Sequence, residues 1–402
     1  MKQTKIVRFF LDFIYGTAGL IAMNGVMQFV VTPFLNNKLG PASCDRFLFF
    51  MALVGFMASA FGSGANYARM TISTRRESTN GDYNIFLVLV AGISIIVTIV
   101  GMNLLHIRSL TTFVLVFFVM IATVLRYYSD VEYRLTTSYG RFFIYYMLIA
   151  CGYLIGLALF PVTKLWQIII LFGECLALFF VFTKGSIYKG KLWERSKNFK
   201  ENIKTMFSLS CAYGLSDFVS YTDRILIPLF AAEGASTTFY VATLVGKIVA
   251  LLTTPLNGVI IGHLSKYQGK ITKKMFSVIT LALVGVAMVV IGASMVASHI
   301  LVPFLYPDLY EEASKLFFVA NASQVCFFLS NTMMVIVLRF THEKYQLYLG
   351  IIYAALFFVI VLPAIMWFGL WGIAYGLLII NSLKFFIITA MGFYGIRKKE
   401  KE

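Results

Sequence analysis

About twelve long apolar runs, separated by short polar connections, leave this chain little choice of fold. A helix needs about 20 residues to cross the hydrocarbon core of a bilayer, and there it must satisfy its backbone hydrogen bonds within itself. The runs lie at about 13–35, 46–66, 85–105, 109–128, 142–161, 165–183, 206–230, 238–262, 276–300, 314–338, 347–367 and 370–395. Most are bounded by charge or turn residues. Hydrophobic residues make up 59% of the 402 and charged ones 13%, against about 45–50% and about 25% in a soluble domain. An ordinary cytosolic enzyme, a disordered chain and a secreted disulfide scaffold are thereby excluded. At roughly 33 residues per helix and loop, no room remains for a large soluble domain. The basic start (Lys2, Lys5, Arg8) looks like that of a signal peptide. The run behind it is too long and lacks a convincing cleavage site, so it reads as a retained first helix.

The net charge of +16 would suggest nucleic acid as partner on a soluble protein. Loop counting gives another explanation. With the N-terminus inside, the inward segments carry 26 of the 34 Lys and Arg and the outward loops 5, a strong positive-inside asymmetry. Both termini are predicted to be cytoplasmic, and no nucleic acid is needed. Only Arg224, Lys247 and Lys384 remain well inside helices. Cys44, Cys151, Cys175, Cys211 and Cys326 form no CxxC pair, so neither a disulfide nor a metal site is expected. His106, His263, His299 and His342 read as interfacial.

The longest polar stretch, TKGSIYKGKLWERSKNFKENIK from Thr183, follows the sixth helix. It divides the chain into residues 1–183, a cytoplasmic basic linker at 184–204, and residues 205–402. The linker reads as solvated, with anionic lipid headgroups as the other reading. An internal repeat supports the division. PFLNNKLGPASCDRFLFFMALVG from Pro33 and PLFAAEGASTTFYVATLVGK from Pro228 share a helix end at Pro, a Gly-Ala-Ser turn and an aromatic helix start. Both copies start from the same side, so the repeat is parallel.

A charge at the bilayer centre costs about 2.5–3.5 kcal/mol, so each one needs a reason. On helix seven, Tyr213, Asp217, Ser220 and Arg224 step by four, three and four and share one face. Thr243, Lys247, Thr254 and Asn257 share a face of helix eight at steps of four, seven and three, and Thr17, Asn24 and Gln28 a face of helix one at seven and four. Helix two offers Gly55, Ser59, Gly62 and Asn66, reaching Arg69 at its cytoplasmic end. These are the first two helices of each half, and the pattern predicts a hydrated cleft lined by both. For the small and neutral residues, helix–helix contact is the competing reading. Asp223 points about 100° away from Arg224. Glu174 and Lys384, in helices six and twelve, either line a pathway or pair within a lobe. The GxxxG pairs Gly152/Gly156 and Gly372/Gly376 read as packing contacts. No P-loop, HExxH or GxSxG occurs. The largest outer acidic group, Asp308, Glu311 and Glu312, reads as an interfacial helix start. The chain is therefore not expected to be an enzyme or to carry a cofactor.

LGPASCDRFLFFMALVGFMASAFGSGANYARM from Leu39 resembles the helix-one/helix-two region of Wzx-type polysaccharide flippases. YTDRILIPLFAAEGASTTFYVATLVGK from Tyr221 looks like that family's start of the second half. LYPDLYEEASKLFFVANASQ from Leu305 and FGLWGIAYGLLII from Phe368 are similar again. The resemblance runs in order along nearly the whole chain. It implies the multidrug/oligosaccharidyl-lipid/polysaccharide (MOP) exporter superfamily, an all-α membrane fold of about 12 helices in two six-helix lobes around a central cavity. It also implies alternating access, a bacterial inner-membrane location, and coupling to a proton or sodium gradient. The substrate implied is an undecaprenyl-diphosphate-linked oligosaccharide for O-antigen, lipopolysaccharide or capsule, with a polysaccharide polymerase and a chain-length regulator as partners. Arg224, Lys247 and Arg69 match helices around the family's cationic cavity. Asn24 and Gln28 stand where related flippases often carry a basic residue. On this reading Arg224 and Lys247 attract the diphosphate, and Asn24, Gln28, Asn66 and Asn257 contact sugar. Asp217 balances Arg224 or exchanges the coupling ion, for which Glu174 is a second candidate. The alternatives are a drug or metabolite antiporter of the same superfamily, and a membrane polymerase or ligase using Asp308, Glu311 and Glu312.

Overall fold

A computed structural model describes residues 2–73, 75–249, 257, 260, 272–338, 341 and 344–399. All regular structure among them is helical. Nine of the described helices are long and apolar enough to cross a membrane: α1 (Ile14–Leu39), α2 (Pro41–Ile72), α3 (Asn80–Leu104), α4 (Leu110–Leu135), α5 (Tyr139–Thr163), α6 (Trp166–Lys184), α9 (Lys273–Leu305), α10 (Phe317–Leu338) and α11 (Tyr348–Arg397). Between them come α7 (Phe199–Phe230), which is long but more polar, and α8 (Ala235–Ala242). Much of the eighth predicted helix, 250–256, 258–259 and 261–262, lies outside the described residues. The predicted runs at 347–367 and 370–395 fall in α11, which breaks at Gly369 (φ 54°, ψ −128°) into two arms.

Helix ends follow local chemistry. Thr79 and Asp82 cap the start of α3 reciprocally, and the Ser109 hydroxyl accepts from the Thr112 amide at 3.2 Å to start α4. The two repeat copies both turn on a left-handed glycine, Gly40 (φ 78°) and Gly234 (φ 85°), with a helix starting at the next residue. A side chain there would strain the backbone. Several helices outrun their apolar cores. The apolar run at 109–128 becomes a helix to Leu135, because its polar last turns are buried and satisfied.

The chain divides into two compact units, residues 1–225 and 226–402. In the first, α4 packs against α2, α3 and α6, and α5 lies against α1 and α6. Gly152 of α5 faces Gly173 of α6 so closely that a Cβ on Gly152 would overlap the Gly173 backbone. In the second unit α10 packs on α9 and α11, around a cluster that includes Phe276, Met333, Val337, Phe385 and Ile388. Leu281, Val289 and Phe304 of α9 are exposed, as apolar groups facing lipid should be.

The basic stretch after α6 is fastened to the first unit. Glu132 of α4 accepts from the Ser186 and Ile187 amides at 3.0 and 3.1 Å. Asn80 donates to the Ser186 and Lys189 carbonyls at 3.2 and 2.6 Å, and Asn84 to that of Leu192 at 3.2 Å. Asp82 accepts from the Ser196 amide at 2.9 Å, its hydroxyl at 2.5 Å and the Asn202 amide group at 2.9 Å. A Cβ on Gly81 would run into the Glu194 backbone. Tyr188 tucks its hydroxyl against Ser129 at 3.0 Å, and burial pushes its phenol pKa up. Residues 185–198 thus form a strap held across helix ends by two buried carboxylates.

Candidate functional site

A chain of buried charges lies in the first unit, between α4, α5 and α6. Arg126 is 6% exposed and Glu174 1%. The Arg126 Nε lies 2.8 Å from Glu174 Oε2 and 3.0 Å from Oε1. Tyr153 and Thr123 donate to Oε1 at 3.2 and 3.4 Å. One turn along α4, Asp130 accepts from Tyr146 at 2.9 Å and sits 3.9 Å from Arg134. Arg134 lies over the Tyr67 ring at 5.3 Å, and Tyr67 stacks on Tyr213 of α7 at 5.0 Å. A charge costs too much to bury alone, and this group alternates sign along one helix face. Glu174 is therefore paired within its own unit. Arg126, near the polar end of the apolar run at 109–128, is a buried helical residue. The signal was present in the sequence: Arg126, Asp130 and Arg134 recur every four residues, and Glu174 needed a counter-charge.

A second polar seam joins α2 to α7 in the same unit. Ser59 donates to Asp217 Oδ2, and a Cβ on Gly55 would strike Tyr221. Gly62 and Asn66 meet α4 instead: Asn66 Nδ2 donates to the Tyr127 carbonyl at 3.0 Å. The small and polar face of helix two is therefore a packing surface over these positions. Ser59 and Gln28 both lie on π-helical turns, Ala58–Ser63 and Met27–Val31, a distortion frequent at functional sites. Among the described residues the Gln28 Oε1 is buried with no hydrogen-bond partner. Asn24 donates to the Leu20 carbonyl at 2.8 Å. Arg69 sits in a cage, donating to Tyr128 at 2.5 Å and Asn80 at 2.7 Å, with the Tyr83 ring 4.7 Å from its guanidinium carbon. Arg224 is 20% exposed through its side chain and 3.6 Å from Asp223. Its Nη2 donates to the Ser220 carbonyl at 3.3 Å, and the Tyr221 ring lies 5.4 Å away.

In the second unit Lys247 is half-buried, its ammonium 5.1 Å from the Tyr240 ring centre. The neighbouring Gly246 amide donates to Asn321 Oδ1 at 2.9 Å. Asn257 Oδ1 accepts from Thr332 at 2.8 Å. Lys384 donates to Asn331 at 2.9 Å and lies 4.4 and 4.6 Å from the rings of Phe327 and Tyr353. Cation–π contact and a neutral acceptor thus surround a lysine only 9% exposed.

No family model and no curated relative matches the chain. Solved structures do. An inward-closed structure of the lipid II flippase MurJ matches at 14% identity and a TM-score of 0.65, over 99% of this chain and 88% of that one. An inward-facing multidrug resistance MATE family transporter of the MOP superfamily matches at 12% identity and 0.68, over 95% of each chain. A MATE transporter in complex with MaL6 matches at 13% and 0.63, over 97% of each. The chain shares the fold of these solved structures, one of which is described as a member of the MOP superfamily. The described helices are those of a multi-pass membrane protein, in the fold that these structures share. At such identities the MOP fold does not carry a substrate with it. Its flippase and drug-transporter examples overlay this chain about equally well, so the residues must decide between them.

Proposed function

We propose that the protein is a flippase of the bacterial cytoplasmic membrane. It moves an undecaprenyl-diphosphate-linked oligosaccharide, an O-antigen or capsule repeat unit, from the cytoplasmic to the outer leaflet. It works by alternating access, coupled to a proton or sodium gradient. The observation that carries this reading is the sign of the half-buried charge at two of the sequence-selected positions. Arg224 and Lys247 lie beside aromatic rings, Arg224 also holding a backbone carbonyl and sitting 3.6 Å from Asp223, and neither is fully buried. Cations so held suit a diphosphate and repel a cationic drug. The lipid II flippase structure is in keeping with a lipid-linked cargo.

Gln28 is the first saccharide contact to test, because its buried oxygen has no partner among the described residues. Asn24, Asn66 and Asn257 already hold backbone or side-chain partners, so a sugar would have to compete with these. Arg69 is a weaker phosphate ligand for the same reason. For ion coupling, Asp217 on Ser59 and Glu174 on Arg126 are the candidates.

The test is Arg224→Gln and Lys247→Gln in a strain dependent on this protein. A charge-assisted hydrogen bond is worth about 1.5–3 kcal/mol, so each variant should bind the diphosphate about 10–100-fold more weakly. Lipid-linked units should then accumulate on the cytoplasmic face and surface glycan should fall. Normal surface glycan in both variants overturns the assignment, and dye efflux from vesicles would favour a drug antiporter.

A further inference from the structure

We propose that the strap is a docking surface for anionic phospholipid headgroups of the bilayer in which the protein sits. Leu192 and Trp193 are adjacent and 52% and 62% exposed. Lys189, Lys191, Arg195 and Lys197 flank them and are all exposed. The backbone beneath is fixed by Asp82, Glu132, Asn80 and Asn84. A large apolar pair on a solvated tether would fold onto its own chain; here the clamps hold it outward.

Position selects the occupant. The strap follows the last residue of α6 and is tied to the first turn of α3 and the last turn of α4. It therefore lies at the end of three membrane-spanning helices, at headgroup depth. Trp is favoured there because its ring is apolar and its N–H polar. Lys and Arg at that depth attract phosphate-bearing lipids over zwitterionic ones. The arrangement is an apolar pair entering the acyl boundary, flanked by four cations and the single carboxylate of Glu194 at the level of the phosphates, a net positive patch. It acts whether or not the proposed cargo is correct.

The experiment uses the full chain in phosphatidylcholine vesicles, with Trp193→Phe subtracted to isolate its emission from the other three tryptophans. The quencher is a lipid brominated near the glycerol, carried on phosphatidylcholine or on phosphatidylglycerol. We expect Trp193 to be quenched by both, and about fivefold more effectively per lipid by phosphatidylglycerol, the ratio that about 1 kcal/mol from one basic residue gives. High salt should reduce that ratio. The charge-neutral variant Lys189→Gln/Lys191→Gln/Arg195→Gln/Lys197→Gln, with an unchanged melting temperature, should bring it close to one while quenching persists. Two results overturn the proposal: Trp193 quenched by aqueous iodide and not by bromolipid, which would mark a solvated surface or a protein-binding one, and equal quenching by the two headgroups in the native protein.

Discussion

Replacing Glu174 by Leu should be among the most damaging single changes in the first unit. Arg126 is 6% exposed, and the Glu174 oxygens at 2.8 and 3.0 Å are its closest carboxylate contact. Taking them away also strips Tyr153 of its acceptor. Breaking a buried pair from one side costs about 3–5 kcal/mol, because the remaining charge is left without compensation. For a unit of this size each kcal/mol lowers Tm by about 2–4 °C, so the loss should be about 6–20 °C. Arg126→Met/Glu174→Leu removes both charges and should recover most of that loss, since an apolar pair of similar volume is often neutral. Scanning fluorimetry in one detergent measures all the variants. A Glu174→Leu protein melting within about 2 °C of native would refute the reasoning. So would a double variant as unstable as the single. The double variant also separates roles: if it melts like the native protein and still transports, Glu174 is structural and the coupling ion binds elsewhere.

The strap gives a second prediction. Asp82→Asn loses the charge that Ser196 and Asn202 share with the Thr79 cap, so the exposed Lys189–Lys197 region should become several-fold more sensitive to trypsin, with cleavage mapped by mass spectrometry. Equal cleavage rates would show that Asp82 does not hold it. A third concerns the α5–α6 contact. Gly152→Leu must push Gly173 away, and overpacking of this kind costs about 1–3 kcal/mol, seen as a Tm drop. A substitution at the exposed Cys151 next to it should leave Tm unchanged.

Where the sequence was legible, the reason was solvent. Apolar runs of about 20 residues with short connections can only be spanning helices, so helix content and a MOP-like fold followed from hydropathy and motif order. Single residues were harder. A stripe such as Gly55, Ser59, Gly62 and Asn66 looks the same whether it lines water or packs a neighbour, because both demand small or polar groups. Only the partner distinguishes them, and here the partners are Tyr221, Asp217 and Tyr127.

The charge on Arg126, near the polar end of its apolar run, is indistinguishable from an interfacial one until its counter-ion is known. Glu174 lies 48 positions away along the chain, and local periodicity has no reach at that range. The same holds for the strap: its basic composition reads as a solvated linker, yet Asp82 and Glu132, on α3 and α4, fix its backbone. By itself, then, the sequence determined the solvent of the chain, its helices and the glycine turns at Gly40 and Gly234, because these depend on local hydrophobicity and backbone geometry. Tertiary structure alone decided which intramembrane charges are neutralised and by what, because pairing is a matter of distance between helices far apart in sequence.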